Sequence, residues 1–254
     1  MLFDYHIHAL AHGEYDYSPE WIGRFLQNAR KLGLQEIGFT EHDEYRELAD
    51  NDILDGIQEQ FAELPIRKGL EVDFIPGREQ AIKKFLASDN YDYVIGSIHF
   101  INGWGFDHPD FRDGFETGDI DDIYSAYFNL VKQAAESELF DVVGHIDLIK
   151  IWGHRPSKHN ISFYLEPVLR CIKAKGLVIE INSGGIRKPV GEIYPAPEII
   201  DMMLRLDIPI TFGSDAHHPD QVGEGLEQAA QMAFKAGYRK AVRFKNHRQI
   251  LTPI

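Results

Sequence analysis

Leu2-Phe3-Asp4-Tyr5-His6-Ile7-His8 opens the chain as an apolar run that turns polar at its end. On a strand, period-two geometry sets Asp4, His6 and His8 on one side. Two imidazoles about 6–7 Å apart along a strand can chelate one ion from that side. The same change from apolar to polar recurs at Thr40-Glu41-His42-Asp43, Gly69-Leu70-Glu71, Gly96-Ser97-Ile98-His99, Gly144-His145-Ile146-Asp147 and Gly213-Ser214-Asp215-Ala216-His217. A fold that gathers these run ends collects seven histidines, counting His12, with at least two carboxylates. Imidazole and carboxylate together suit zinc, iron or manganese, so the pattern points to a multinuclear metal hydrolase.

The apolar runs at 2–7, 36–40, 66–72, 93–98, 142–146, 177–181 and 208–213 are mostly continuous rather than alternating. That is the signature of parallel strands covered on both faces. A less apolar run at 241–244 offers an eighth. Helical patterns lie between them. Ser18-Pro19-Glu20 reads as N-cap, first helical position and dipole partner, followed by an apolar face through Ile22, Phe25, Leu26, Ala29 and Leu32 and a stop at Gly33. Similar stripes run through 120–135, 162–174, 197–206 and 226–236, with Pro167 expected in the first turn of its helix or at a kink. The stretch 102–118 reads as a long loop over the site. Seven strands alternating with helices predict an α/β fold, a distorted (β/α)7 TIM-like barrel, as a single domain over 1–254. A doubly wound open sheet is the alternative. In both, ligands collect at the carboxyl ends of the strands, where every histidine group falls.

The 254 residues are 44% hydrophobic, enough for one large core. The formal net charge is −14 and no run of five Lys or Arg occurs, which disfavours nucleic acid as a partner. No stretch of about 18 apolar residues predicts a membrane span. The N-terminus lacks a basic region followed by an apolar one, so no secretory signal is expected. Cys171 is the sole cysteine, which excludes an internal disulfide and fits a cytoplasmic location.

Taken in order, DxHxH, a following His, TEHD, GLE, GSIH, GHID and SDAH resemble the polymerase-and-histidinol-phosphatase (PHP) superfamily of metal-dependent phosphoesterases across essentially the whole chain. The resemblance implies the PHP fold and three divalent metal ions. It assigns His6, His8, Glu71 and Asp215 to the first ion, and His12, His42 and His217 to the second. Glu71, His99 and His145 take the third, so Glu71 bridges two ions. Asp4 and Asp43 are expected to orient ligands, and Glu41 and Asp43 are also candidates for substrate contact. A metal-bridging hydroxide is the expected nucleophile, with no residue assigned as general acid. The ions outweigh their ligand carboxylates in charge, so a phosphate dianion is attracted despite the acidic surface.

The segment from Glu180 through Asn182, Arg187, Lys188 and Tyr194 to Pro195 resembles the histidinol-phosphate phosphatase branch, as does Gly144–Lys150. That branch implies a small-molecule phosphate ester, L-histidinol phosphate, hydrolysed in histidine biosynthesis. Arg187 and Arg155 are candidate phosphate clamps, because a planar guanidinium can fork two oxygens. Glu44, Phe106, Phe115 and Tyr194 are further candidates to meet the ammonium and imidazole of that substrate. Another phosphate ester or a 3′–5′ exonuclease activity are the alternatives, as is a non-catalytic metal-bound scaffold. Oligomeric state is not legible.

Overall fold

The computed structural model describes residues 2–254. Its strands are β1 (Ile37–Phe39), β2 (Ile66–Asp73), β3 (Tyr93–Ser97), β4 (Phe100–Ile101), β5 (Trp104–Gly105), β6 (Val142–Val143), β7 (Val178–Asn182), β8 (Ile210–Gly213), β9 (Lys240–Lys245) and β10 (Arg248–Pro253). Its helices are α1 (Pro19–Lys31), α2 (Asn51–Gln58), α3 (Glu79–Leu86), α4 (Ile120–Glu136), α5 (Ile161–Lys175), α6 (Pro197–Arg205) and α7 (Leu226–Ala236). Six strands form one curled parallel sheet in the order β1-β2-β3-β6-β7-β8. Each crossover within it carries one of α2 to α6. β3, β7 and β8 are buried along their whole length, as parallel strands covered by helices must be. No helix among the described residues is long and apolar enough to cross a membrane.

Residues 4–8 lie between the two edges of this sheet. Asp4 pairs with Ile37 of β1, and Ile7 pairs with Ala216 just past β8, both in parallel sense. The Tyr5 N–H donates to the Phe212 carbonyl at 3.0 Å, and the His6 carbonyl accepts from Ala216 N at 3.2 Å. Two successive residues thus bond towards β8, and the strand alternation slips by one there. The run expected as a strand over 2–7 is consequently a pair of isolated bridges.

α1 follows its expectation. Ser18 Oγ accepts from Trp21 N at 3.2 Å, and Ile22, Phe25, Leu26 and Ala29 are buried. Three other expectations change. Pro167 sits in the interior of α5, beyond its first turn. Its missing N–H deprives the Phe163 carbonyl, but Phe163 is on an exposed face where water can replace that bond. The run at 241–244 lies in β9, which pairs antiparallel with β10 in a separate hairpin and does not join the six-stranded sheet. Asn246 and His247, at φ 50° and 60°, make the tight turn between them. The stretch 102–118 contains order: β4 and β5 form a small hairpin about Asn102-Gly103, and 3₁₀ turns follow at Pro109–Glu116.

Candidate metal centre

The strand ends deliver the titratable groups to one place. His6 and His8 come from the bridging segment, His42 from just past β1, and Glu71 from the end of β2. His99 follows β3, His145 follows β6, and Asp215 and His217 follow β8. Glu71 is the hub. Its Oε2 lies 3.3 Å from His6 Nε2, 3.4 Å from His8 Nε2 and 3.1 Å from His42 Nδ1. Its Oε1 lies 3.1 Å from His145 Nε2 and 3.9 Å from His99 Nε2. Asp215 Oδ1 adds contacts of 3.4 Å to His8 Nε2 and 3.8 Å to His6 Nε2.

Three sets of side chains bring their ligand atoms within 4.8 Å of one another: His6, His8 and Glu71; His8, His42 and His217; and Glu71, His99 and His145. His12 stands in the loop beyond His8, its ring 5.4 Å from that of His42 and 4.9 Å from that of His217. The second set contains His8, where the sequence placed His12.

These residues fit cations. His6 Nε2, both nitrogens of His8, His42 Nε2, His145 Nδ1 and Glu71 Oε2 are buried without a hydrogen-bond partner. Leaving so many polar atoms unpaired is costly, and divalent ions satisfy lone pairs of this kind. Titration agrees. Burial, with His42 and His217 nearby, drives His8 well below the usual imidazole range, and burial brings His217 down to about 4. Both are neutral donors at pH 7. Burial also opposes charge on Glu71, yet His6, His145 and His42 hold its carboxyl well below the ordinary value.

The sequence reading missed the carboxylates that aim these rings. Glu180, fully buried on β7, accepts from His6 Nδ1 at 2.7 Å. A carboxylate can only accept here, so Nδ1 carries the proton and Nε2 keeps its lone pair for the cluster. Glu180 also accepts the backbone N–H of His145 at 3.0 Å. Gly213 leaves room for it, since a Cβ there would stand 2.1 Å from Glu180 Oε1. Asp73 likewise bonds His99 Nδ1 and turns Nε2 towards Glu71. Removing such an orienting partner typically costs 10–100-fold in metal affinity or activity. Glu180→Gln is therefore expected to lower turnover and metal affinity by about that factor. Unchanged affinity in a metal titration would remove Glu180 from this role.

Three residues expected to orient ligands or to meet the substrate act elsewhere. Asp4 accepts the backbone N–H of Ser214 at 2.8 Å and of Gly223 at 2.9 Å, because the slip at residues 5 and 6 takes it out of phase with the histidines. Asp43 touches no imidazole; it accepts Asp73 N at 3.0 Å and pairs with Arg78. Glu41 is buried and accepts Ala9 N at 2.7 Å and Leu10 N at 3.0 Å, so it shapes the loop leading to His12 rather than facing a substrate. Phe106, Phe115 and Tyr194 are packed in the core.

The arginines are also engaged. Arg187 Nη2 donates to the carbonyls of Ser214 at 2.7 Å and Asp215 at 2.8 Å. Asp215 has φ 56°, an unfavourable conformation for a side-chain-bearing residue, and Arg187 braces it. Arg187→Ala is thus expected to lower metal content as well as turnover, by about 10–100-fold in affinity. Full metal content with lost turnover would point instead to direct phosphate contact. Arg155 is half-exposed and paired with Glu192 at 2.8 Å.

Comparisons agree with this geometry. The family model described as PHP domain matches residues 4–184. A probable histidinol-phosphatase of Deinococcus radiodurans is 35% identical, covering 94% of this chain and 95% of its own. The histidinol-phosphatase of Bacillus subtilis is 29% identical over 88% of this chain and 96% of its own. Among solved structures, histidinol phosphate phosphatase from Lactococcus lactis, complexed with zinc, L-histidinol and phosphate, superposes with a TM-score of 0.80 at 22% identity, covering 98% of each chain. With most of its length matched by the family model and a full-length relative above 30% identity, this chain belongs to the PHP domain family.

Proposed function

We propose that this protein is a metal-dependent phosphomonoesterase that hydrolyses L-histidinol phosphate to L-histidinol and phosphate. The observation that carries the chemistry is the set of buried, unpartnered imidazole nitrogens around Glu71. The full-length relatives named histidinol-phosphatase support the substrate. Three divalent ions are proposed. His6, His8, Glu71 and Asp215 hold the first, and Glu71, His99 and His145 the third. His42 and His217 hold the second, with His8 or His12 beside them. Zinc, iron and manganese all suit this donor set, and the Lactococcus enzyme carries zinc. When bound, such ions supply a nucleophile at neutral pH and neutralise charge on the phosphoryl oxygens.

The chain's own part is preorganisation. Glu180 and Asp73 fix the proton on Nδ1 of His6 and His99, so both rings meet a cation as lone-pair donors. Glu71 neutralises part of the cation charge from inside the cluster, and Asp215 does so from its edge. Arg155 is the proposed phosphate contact; a phosphate must displace Glu192 from its Nη2, an exchange of one anion for another. Arg187 is proposed as a phosphate contact only through Nε or a rearranged Nη, since Nη2 already serves two carbonyls and Nη1 pairs with Glu224 at 3.2 Å. No general acid is assigned. His154 is stacked on Phe115 at 4.8 Å, and His108 caps Asp110 N at 3.2 Å.

The bridging segment at residues 4–8 serves as the seventh stave of a (β/α)7 barrel, supported by its bonds to both sheet edges. We read residues 1–254 as one domain acting in the cytoplasm. The test is a phosphate-release screen over metabolite monoesters, with elemental analysis of the same sample. L-Histidinol phosphate is expected to be turned over fastest. Faster release from an unrelated ester would move the assignment to that substrate, and faster cleavage of single-stranded DNA would move it to an exonuclease.

A further inference from the structure

Of the five imidazoles that face Glu71, His99 is the furthest, at 3.9 Å, and among the described residues its ring hydrogen-bonds only Asp73. What holds Asp73 lies outside the cluster. Arg78, at the start of α3, donates from Nη1 to the Asp73 carbonyl at 3.1 Å and from Nη2 to Asp43 Oδ2 at 2.5 Å. The other oxygen of Asp43 accepts the Asp73 N–H at 3.0 Å. Guanidinium, carboxylate and peptide thus close a ring that fixes both backbone polar groups of Asp73. Asp43 is 3% exposed, and Asp73 and His99 are largely buried, so most of this ring is shielded from water. Arg78 is 36% exposed and touches no candidate ligand.

We propose that Arg78 is a positioning residue for the third ion: its fork sets the Asp73 carboxylate, and through it the ring of His99. The proposal rests on reading the cluster as a metal centre. Its effect is concentrated on His99. Asp43 follows His42 in sequence, but Asp43 is separately anchored by Arg46 Nη1, which donates to its carbonyl at 2.9 Å, and His42 meets Glu71 directly at 3.1 Å. Lysine cannot substitute fully. An ammonium can pair with Asp43, but it lacks the planar fork that spans two acceptors.

The test is a Co(II) titration of the metal-free protein followed by visible absorbance, with the melting temperature of the metal-free form measured alongside. His99→Ala identifies the contribution of the Glu71–His99–His145 ion by deleting it. Arg78→Ala is expected to move that same contribution to about 10–100-fold higher Co(II), leaving the others in place, with partial recovery in Arg78→Lys. An Arg78→Ala titration identical to the parent overturns the proposal. A lowered melting temperature with an unchanged titration also overturns it, by assigning Arg78 to stability alone. Should Arg78→Ala not fold, Asp43→Asn carries the same expectation, since it keeps the acceptor for Asp73 N and loses the charge that holds Arg78. If His99→Ala deletes nothing, the reading of the cluster fails first, and this proposal with it.

Discussion

Glu71→Gln is expected to lower turnover on the order of 10³-fold and to reduce bound metal in the same sample. The residue is 1% exposed, and its two oxygens face five imidazoles between 3.1 and 3.9 Å away. Glutamine fills the same volume, so packing is kept. Its amide is neutral, however, and one oxygen becomes an NH₂ that can only donate. That donor would confront nitrogens which a cation needs as lone pairs. The loss is larger than for Glu180→Gln because Glu71 belongs to two of the three ligand sets, whereas Glu180 reaches the cluster only through His6 and the His145 backbone. Charge stabilisation by metal ions contributes several kcal/mol to a transition state, which converts to the stated factor. A variant with parental metal content and turnover would show that the carboxylate is a structural partner of its histidines and nothing more. Turnover lost at full metal content would locate the effect in charge rather than in binding.

The groups that announce themselves in the sequence are those at the ends of apolar runs, because the run predicts a strand and the strand end predicts the mouth of the sheet. His6, His8, His42, Glu71, His99, His145, Asp215 and His217 all lie there. Glu180 was hidden inside the run at 177–181, where a charge is easily passed over. The signal was present: a carboxylate in a strand buried on both sides needs a partner. Asp73 shares the parity of Glu71 but lies one residue past the end of the predicted strand. The roles of Arg187, Asp43 and Asp4 were not legible, since their acceptors and donors come from remote segments that only the fold brings near. Helices α2 and α3 escaped because they are short and bury few residues each, Leu54 and Ile57 in one and Ile82 in the other. The β9–β10 turn uses Asn246-His247 without glycine, which weakens the usual hairpin signature.

Chelation is expected to abolish activity completely and reversibly, with recovery on adding zinc, manganese or cobalt. A thiol reagent is expected to leave activity intact. Cys171 is the only thiol; it sits on α5, away from the cluster, and burial raises its pKa, so little thiolate is available. The two reagents therefore separate metal chemistry from a cysteine nucleophile in one experiment. Chelation should also destabilise the fold. A ligand present at a hundred times its dissociation constant stabilises by about 2.7 kcal/mol per site. For a protein of this size each kcal/mol shifts the melting temperature by about 2–4 °C, so stripping one such site lowers it by roughly 5–10 °C. The sign follows from the geometry. Without cations, His8 keeps two buried nitrogens and Glu71 a buried oxygen with nothing to bond, and unfolding releases all of them to water. Hydrolysis that continues at the parental rate in protein shown by elemental analysis to be metal-free would exclude the proposed chemistry, whatever the melting temperature does. An unchanged melting temperature with lost activity would instead mean that the imidazoles find other partners once the ions leave.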